Sequence, residues 1–282
     1  MGNACNVINH PQPQHHITTD ASLMGWGAEF SGVSSGGNWS HSESKQHINY
    51  LGMLAILLRL QNFAKDKRNT HIRIMCDNTT AVNVINHMVT SHSVFCNSVA
   101  KEIWEWCIDH KIWLSAAHIP GKQNLIADFE SRRNQRASEW RLDNASLIGA
   151  LEVLDFKPDM DLFASRINHQ FPHYVSYRPD PEAIATDAFS LNWSNLKFYA
   201  FPPFSVIPTV LNKLTTEGAQ GICVLPDWPT QSWYPRALQL LKQNPMYLKA
   251  RKDLLQLPSH PKENHPNWHR LNLLVCHLPG RD

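Results

Sequence analysis

The 282 residues carry 26 Lys and Arg against 24 Asp and Glu, and 43% of them are hydrophobic. That apolar share excludes wholesale disorder, the length suits two domains, and a net charge of +2 neither demands nor forbids a nucleic-acid partner. The six cysteines are scattered with no Cys-x-x-Cys pair. This argues against a zinc knuckle or a disulfide framework and for reduced thiols inside a cell, with cytoplasm and nucleus both open. No signal peptide opens the chain, and the apolar run 51–58 is too short to span a bilayer, so no membrane partner is expected. His260, His265, His269 and His277 lack a Cys or acidic partner at ligand spacing and predict no metal site.

In chain order, residues 1–16 are polar, hold Pro11 and Pro13, and form an expected leader. Ile17-Thr18-Thr19 and residues 25–30 have a β pattern. Ser34-Ser35-Gly36-Gly37 predicts a turn, and a short strand around Trp39 completes a hairpin. The period then changes: Ile48, Leu51, Leu54, Ala55 and Leu58 recur at helical spacing and predict an amphipathic helix. A strand over 71–76 is followed by Asn78, Thr79 and Thr80, which offer caps for a helix through Ala81, Val82 and Ile85. Val99, Ile103, Trp106 and Cys107 mark another helix, 112–117 a strand, Pro120-Gly121 a turn, and Ile126, Ala127 and Phe129 a last short helix. This order defines a mixed α/β sheet domain over 17–133.

Residues 132–144 are charged and polar, with Trp140 as their one large anchor, and predict a linker. Linker and helix together occupy 134–157, the helix around 147–154. A second α/β domain is expected over 158–244. Asp161-Leu162-Phe163-Ala164-Ser165 ends one strand there, Phe198-Tyr199-Ala200 ends another, and 221–226 forms a third, with helices over 207–214 and 235–241. Proline is dense after Pro245, so 245–282 is expected to be an extended, irregular C-terminal extension.

Three aspartates carry the chemistry: Asp20, Asp77 and Asp128. Phosphodiester hydrolysis at neutral pH needs a nucleophilic water and relief of charge on the leaving oxygen, and two magnesium ions supply both. Magnesium takes hard oxygen ligands and keeps several waters, so a protein offers it a small set of carboxylates. Asp20 ends the first predicted strand, Asp77 ends a neighbouring one, and Asp128 stands at a helix start. They are expected to converge at one end of the sheet, where open α/β sheets place ligands. Singly, each has an ordinary reading as a turn residue, a helix cap or a solvated helix face. Order and setting distinguish them.

Those settings are Thr19-Asp20-Ala21-Ser22 with Gly25-Trp26-Gly27-Ala28, His47-Ile48-Asn49-Tyr50-Leu51, Asp77-Asn78-Thr79-Thr80-Ala81, His118-Ile119-Pro120-Gly121, and Asn124-Leu125-Ile126-Ala127-Asp128 with Ser131-Arg132. In this order they resemble the ribonuclease H domain of retrotransposon polyproteins, in particular of DIRS-type elements, over 17–133. The resemblance implies a ribonuclease H-like fold and cleavage of the RNA strand of RNA–DNA hybrids. It also implies Mg2+ or Mn2+ held by Asp20, Asp77 and Asp128. A reverse transcriptase ahead and a tyrosine recombinase beyond are implied too, and neither lies within these residues. Two positions depart from the family. Gly52 replaces a helical glutamate; it has no ligand atom, and mid-helix it costs about 1 kcal/mol relative to alanine. Glu43 offers another carboxylate, but it lies before the helix and is expected to be too far away to stand in. Lys122 stands where many relatives place a histidine. Arg132, Arg133, Arg136 and Arg141 can meet phosphates or simply form a solvated linker.

Asp161 through Ser165, Asn168, Tyr174, Trp193, Phe201-Pro202-Pro203-Phe204, Lys213, Leu225-Pro226 and Trp233 resemble a second family, the phage-type DNA adenine methyltransferases, a relative of which follows ribonuclease H in DIRS-type elements. The resemblance implies that the loop at Asp161 contacts S-adenosylmethionine. It implies further that the loop Phe201, Pro202, Pro203, Phe204 grips a flipped adenine. The family has Asn at the first position of that loop; Phe201 has no acceptor for the adenine amino group, and Phe201 and Phe204 equally suit packing or stacking. Three readings follow: a retroelement-derived ribonuclease H impaired at Gly52, a catalytically inactive nucleic-acid-binding module, and an adenine methyltransferase, which Phe201 opposes.

Overall fold

The computed structural model describes residues 12–87, 93–133 and 139–279. Most of the expected leader and Arg136 lie outside the described residues. The described chain forms two compact units, the first from 12–37, 43–87 and 93–133, the second from 38–42 and 139–279. Both are α/β. No helix among the described residues is long and apolar enough to cross a membrane.

The first unit is built on strands β1 (His15–Ala21), β2 (Gly25–Phe30), β3 (Val33–Asn38), β4 (Thr70–Cys76) and β5 (Ile112–His118), in the spatial order β3-β2-β1-β4-β5. β1 runs antiparallel to β2 and parallel to β4, and β4 runs parallel to β5. Ser22 sets the β1–β2 turn: its hydroxyl accepts from the Met24 and Gly25 amides at 3.1 and 3.2 Å. The expected turn at Ser34-Ser35-Gly36-Gly37 is instead strand β3. Its glycines serve close approach, since a Cβ on Gly36 would lie 2.7 Å from the Trp26 carbonyl oxygen and 3.0 Å from that of Glu130.

Helices α1 (Ile48–Phe63), α2 (Thr79–His87), α3 (Val94–His110) and α4 (Leu125–Arg132) complete the unit. Helix α1 is buried continuously from Leu51 to Leu60, not on one face as its sequence predicts. It packs against β1, β2, α2 and α3, so no face is left to water. Arg59 is buried with it, its guanidinium 3.9 Å from the Phe63 ring centroid. The capping expectation at α2 is met by Asn78, whose side-chain oxygen accepts from the Ala81 amide at 3.0 Å.

The second unit contains β6 (Arg141–Leu142), α5 (Asn144–Val153), β7 (Met160–Asp161), β8 (His173–Ser176), β9 (Ala185–Thr186), β10 (Lys197–Ala200), α6 (Ile207–Glu217), β11 (Gln220–Pro226), α7 (Tyr234–Gln239), β12 (Met246–Leu248), β13 (Leu255–Gln256) and β14 (Leu273–Leu278). Seven strands form one sheet in the order β12-β14-β11-β10-β7-β8-β9. The five from β11 to β9 are mutually parallel, and β14 is antiparallel to both its neighbours. Side chains alternate between two cores: Phe198, Ala200, Cys223 and Cys276 pack with α6, while Tyr199, Ile222, Val224 and Val275 pack with Leu147 and Ala150 of α5.

The stretch after Pro245 is therefore not an irregular extension. Leu273–Leu278 is an apolar run buried on both faces and inserted between two strands, and β13 pairs with β6 of the expected linker. Prolines punctuate that stretch without preventing the strands between them.

Glu139, just ahead of β6, is buried, and its carboxylate accepts from the Asn38 amide at 2.6 Å. Burial pushes its carboxyl up to about 7 from an ordinary value of 4.5, opposed by the Asn38 bond and Arg166 and reinforced by Asp180. The folded protein holds this proton up to about pH 7, whereas the unfolded chain releases it near 4.5. The contribution of Glu139 is thus fully present below about pH 4.5 and is lost as pH rises through 7, by on the order of 3 kcal/mol. Glu139→Gln is expected to match the natural chain in urea unfolding at pH 4.5 and to exceed it at pH 8; an equal difference at both pH values refutes this assignment.

Candidate active-site cleft

The parallel pairing of β1 and β4 aligns Thr18 with Met75. Two residues further along each strand, Asp20 and Asp77 stand at adjacent carboxyl ends of the sheet. Both line a cleft of about 280 Å³, together with Thr19, Asn49, Gly52, Asn78 and Thr79. Gly52 thus joins the same lining, brought there by the second turn of α1. A Cβ built on Gly52 would lie 2.6 Å from Asn78 Nδ2, and that amide donates to Asn49 Oδ1 at 3.4 Å. The Asn78 side chain occupies the space a side chain at 52 would use.

Helix α4 is fastened over β1 at both ends. The Asn124 amide donates to the Thr19 carbonyl at 2.9 Å, and the Ser131 hydroxyl donates to Asp20 Oδ2 at 2.5 Å. The Ser131 carbonyl in turn accepts from Ser22 at 2.6 Å. Asn124 and Ser131 are therefore positioning residues, which spacing alone does not reveal; their signal is their place in the motif that contains Asp128. Burial pushes the Asp20 carboxyl above the usual range against the Ser131 hydrogen bond, and the charges of Asp77 and Asp128 push it the same way as burial. The three aspartates thus share one electrostatic neighbourhood.

Asp128 nevertheless does not line the cleft. Its carboxylate takes the Arg132 guanidinium one turn along α4, Nε to Oδ1 at 2.7 Å. Arg133 is similarly drawn to Glu130 at 3.8 Å, and Arg141 lies in β6 of the second unit with its guanidinium 3.5 Å from Gln256. Glu43 sits in a single 3-10 turn outside the cleft lining. Lys122 belongs to the turn Gly121–Gln123, where a Cβ on Gly121 would come within 3.4 Å of Asp77 Oδ2. Among the described residues, no three His, Cys, Asp or Glu side chains form a group that could hold a metal ion. A Mg2+ or Mn2+ pair does not fit the residues present: one wall offers glycine, and one aspartate is already engaged.

In the second unit, chain order reverses between β7 and β10: β8 and β9 extend to one side, β10 and β11 to the other. Parallel sheets bind ligands at such switch points, beyond the strands' carboxyl ends. Asp161 is the last residue of β7, and Phe201, Pro202, Pro203 and Phe204 follow β10. Both expected loops flank the switch point, but their chemistry is turned inward. Asp161 is buried; it accepts from the Phe163 and Gln170 amides at 3.2 and 3.1 Å, and burial pushes its carboxyl up to about 7 against those two bonds. It braces its own loop. Phe201 and Phe204 are half-buried against the core, with ring centroids 6.2 Å apart, and Trp228 stands edge-on to Phe204 at 5.0 Å. An acceptor for S-adenosylmethionine at Asp161, or for an adenine amino group at Phe201, does not fit this arrangement.

No protein-family model matches the chain, and no curated protein matches it. Solved structures do. Ribonuclease H1 from the halophilic archaeon Halobacterium salinarum NRC-1 matches with 16% identity and a TM-score of 0.34, over 41% of this chain and 92% of that one. LC11-ribonuclease H1, solved in complex with an RNA/DNA hybrid, matches with 17% identity and a TM-score of 0.36, over 42% and 93%. The N-terminal ribonuclease H domain of rv2228c from Mycobacterium tuberculosis matches with 10% identity and a TM-score of 0.32, over 41% and 95%. The likeness is one of fold.

Proposed function

We propose that the first unit is a ribonuclease H-like nucleic-acid-binding module, derived from a retroelement hydrolase of the RNA strand in RNA–DNA hybrids and impaired as a nuclease. The observation that carries this reading is the place of Gly52. It faces the cleft that Asp20 and Asp77 line, where the resemblance puts a glutamate, and it supplies no oxygen. Thr19, Asn49, Asn78 and Thr79 give the same cleft a polar wall suited to sugar hydroxyls. The natural chain is expected to bind an RNA–DNA hybrid, with affinity falling as salt is raised, and to leave it uncut in Mg2+ and in Mn2+. Fluorescence anisotropy and gel analysis of one labelled hybrid test both parts. Cleavage that Asp77→Asn abolishes overturns the impairment, and failure to bind the hybrid at low salt overturns the module.

For the second unit, the switch-point position of Asp161 and Phe201 favours a methyltransferase-like scaffold without adenine chemistry. Titration of the chain with S-adenosylmethionine is expected to give no binding heat, and incubation with DNA no N6-methyladenine. Methyl transfer from labelled cofactor to adenine overturns this reading.

A further inference from the structure

Residues 249–272, between β12 and β14, hold five basic side chains, Lys249, Arg251, Lys252, Lys262 and Arg270, against two acidic ones, Asp253 and Glu263. That surplus of three positive charges exceeds the net +2 of all 282 residues. The segment lies outside the stretch from Asp161 to Trp233 that resembles the methyltransferases. It is anchored from within: Leu254, Leu255 and Leu271 are buried in the core on the α5 side, β13 pairs with β6, and the Ala250 amide donates to Asn272 Oδ1 at 2.9 Å. The leucines face inward, while Lys249, Lys252, Lys262 and Arg270 are exposed. Among the described residues, Arg251 alone of the five cations pairs with carboxylates, Asp143 at 3.1 Å and Asp253 at 2.9 Å.

We propose that this segment is a contact surface for the phosphates of a nucleic-acid duplex, separate from the cleft of the first unit. Like charges gathered on one segment repel, and a polyanion relieves that repulsion while releasing its own counter-ions. The rings of the segment argue against unpaired bases as the partner. Lys252 lies over the Trp268 ring at 5.2 Å, His269 stands edge-on to Trp268 at 5.8 Å, and His265 stands edge-on to Trp140 at 5.0 Å. Each is engaged within the protein and offers no stacking platform, so contact falls to the backbone of paired strands without reading their sequence.

The test is fluorescence anisotropy of the full chain with a labelled DNA duplex and, in parallel, an RNA–DNA hybrid of the same length, across a range of salt. The first variant combines Lys249→Gln, Lys252→Gln, Lys262→Gln and Arg270→Gln. The second removes equal charge from exposed positions elsewhere, combining Lys65→Gln, Lys111→Gln, Lys157→Gln and Lys197→Gln. The natural chain is expected to bind the DNA duplex. The first variant should bind it at least about tenfold more weakly at about 50 mM salt, with a log–log salt slope shallower by about 3. Lys249→Gln with Lys252→Gln, and Lys262→Gln with Arg270→Gln, should each give about half that slope change. The second variant should follow the natural chain, and the urea midpoints of all these chains should agree, since every altered side chain is exposed. Equal losses in the first and second variants make the effect one of bulk charge and overturn the proposal. Binding to phosphatidylserine vesicles that the first variant loses, without binding to the DNA duplex, overturns it too. If the natural chain binds the hybrid but not the DNA duplex, and the first variant keeps that binding, the surface is refuted and the first-unit module stands. If the first variant loses both nucleic acids while the second keeps both, the surface stands and the first-unit module falls.

Discussion

Gly52→Glu is expected to cut an RNA–DNA hybrid in Mn2+ at least about 10²-fold faster than the natural chain, the equivalent of about 3 kcal/mol of charge stabilisation at the reacting phosphate. The position lines the same cleft as Asp20 and Asp77, so a glutamate there brings a third carboxylate to that lining. The obstacle is Asn78. Its Nδ2 is the far end of a flexible side chain, and it has a long 3.4 Å contact with Asn49 to lose. Both amide atoms sit on one planar carbon, so turning Nδ2 away also moves Oδ1 and weakens the cap on Ala81. The substitution also removes a helix-interior glycine, which favours folding by up to about 1 kcal/mol. Side-by-side assays of the natural chain, Gly52→Glu and Gly52→Glu with Asp77→Asn decide the matter. Activity in the second alone identifies a metal site disabled by one residue. Equal activity in the first two, lost in the third, shows that glycine is no handicap. Silence in all three, with the fold intact by circular dichroism, removes the aspartates from consideration as a latent nuclease.

Gly27→Ala is expected to be the most damaging single-methyl addition in the first unit, destabilising it by about 3 kcal/mol, the upper end of overpacking effects. A Cβ at this position of β2 falls on the Ala127 carbonyl oxygen and the Ser131 amide nitrogen, both backbone atoms of α4 that cannot turn aside. Relief requires the helix to lift from the sheet, and with it the Ser131 bond to Asp20 and the Asn124 bond to Thr19. The variant should therefore lose hybrid binding more than its residual stability explains. Gly149→Ala on α5 is the control: nothing lies within 4 Å of its Cβ, so the ordinary helix preference applies and stability should rise by about 1 kcal/mol. Urea unfolding of both variants measures the contrast. A Gly27→Ala chain as stable as the natural one would mean that α4 does not rest on the glycines of the hairpin.

Much of the architecture is legible in local patterns. Period-two alternation places β1, β2, β4 and β5, and helical spacing places α1, α2, α3 and α4, because those signals depend on neighbours within a turn or a pleat. The short strands β8 and β9 and the late strands β12 and β14 escape, since their pairing partners are distant in sequence and Pro-rich flanks obscure them. Burial of α1 on all sides escapes for the same reason: a helix cannot announce how many elements will cover it.

The chain by itself determined that Asp20 and Asp77 end neighbouring strands and that Gly52 follows the start of a helix. Tertiary structure alone decided which of these meet. It put Gly52 in one cleft lining with Asp20 and Asp77, seated Asn78 in the space beside it, and turned Asp128 toward Arg132. It also spent the Asp161 carboxylate on the amides of its own loop. The reason is the range of the forces: backbone preference and periodicity act within a few residues, whereas charge pairing and close packing depend on which elements the topology brings together.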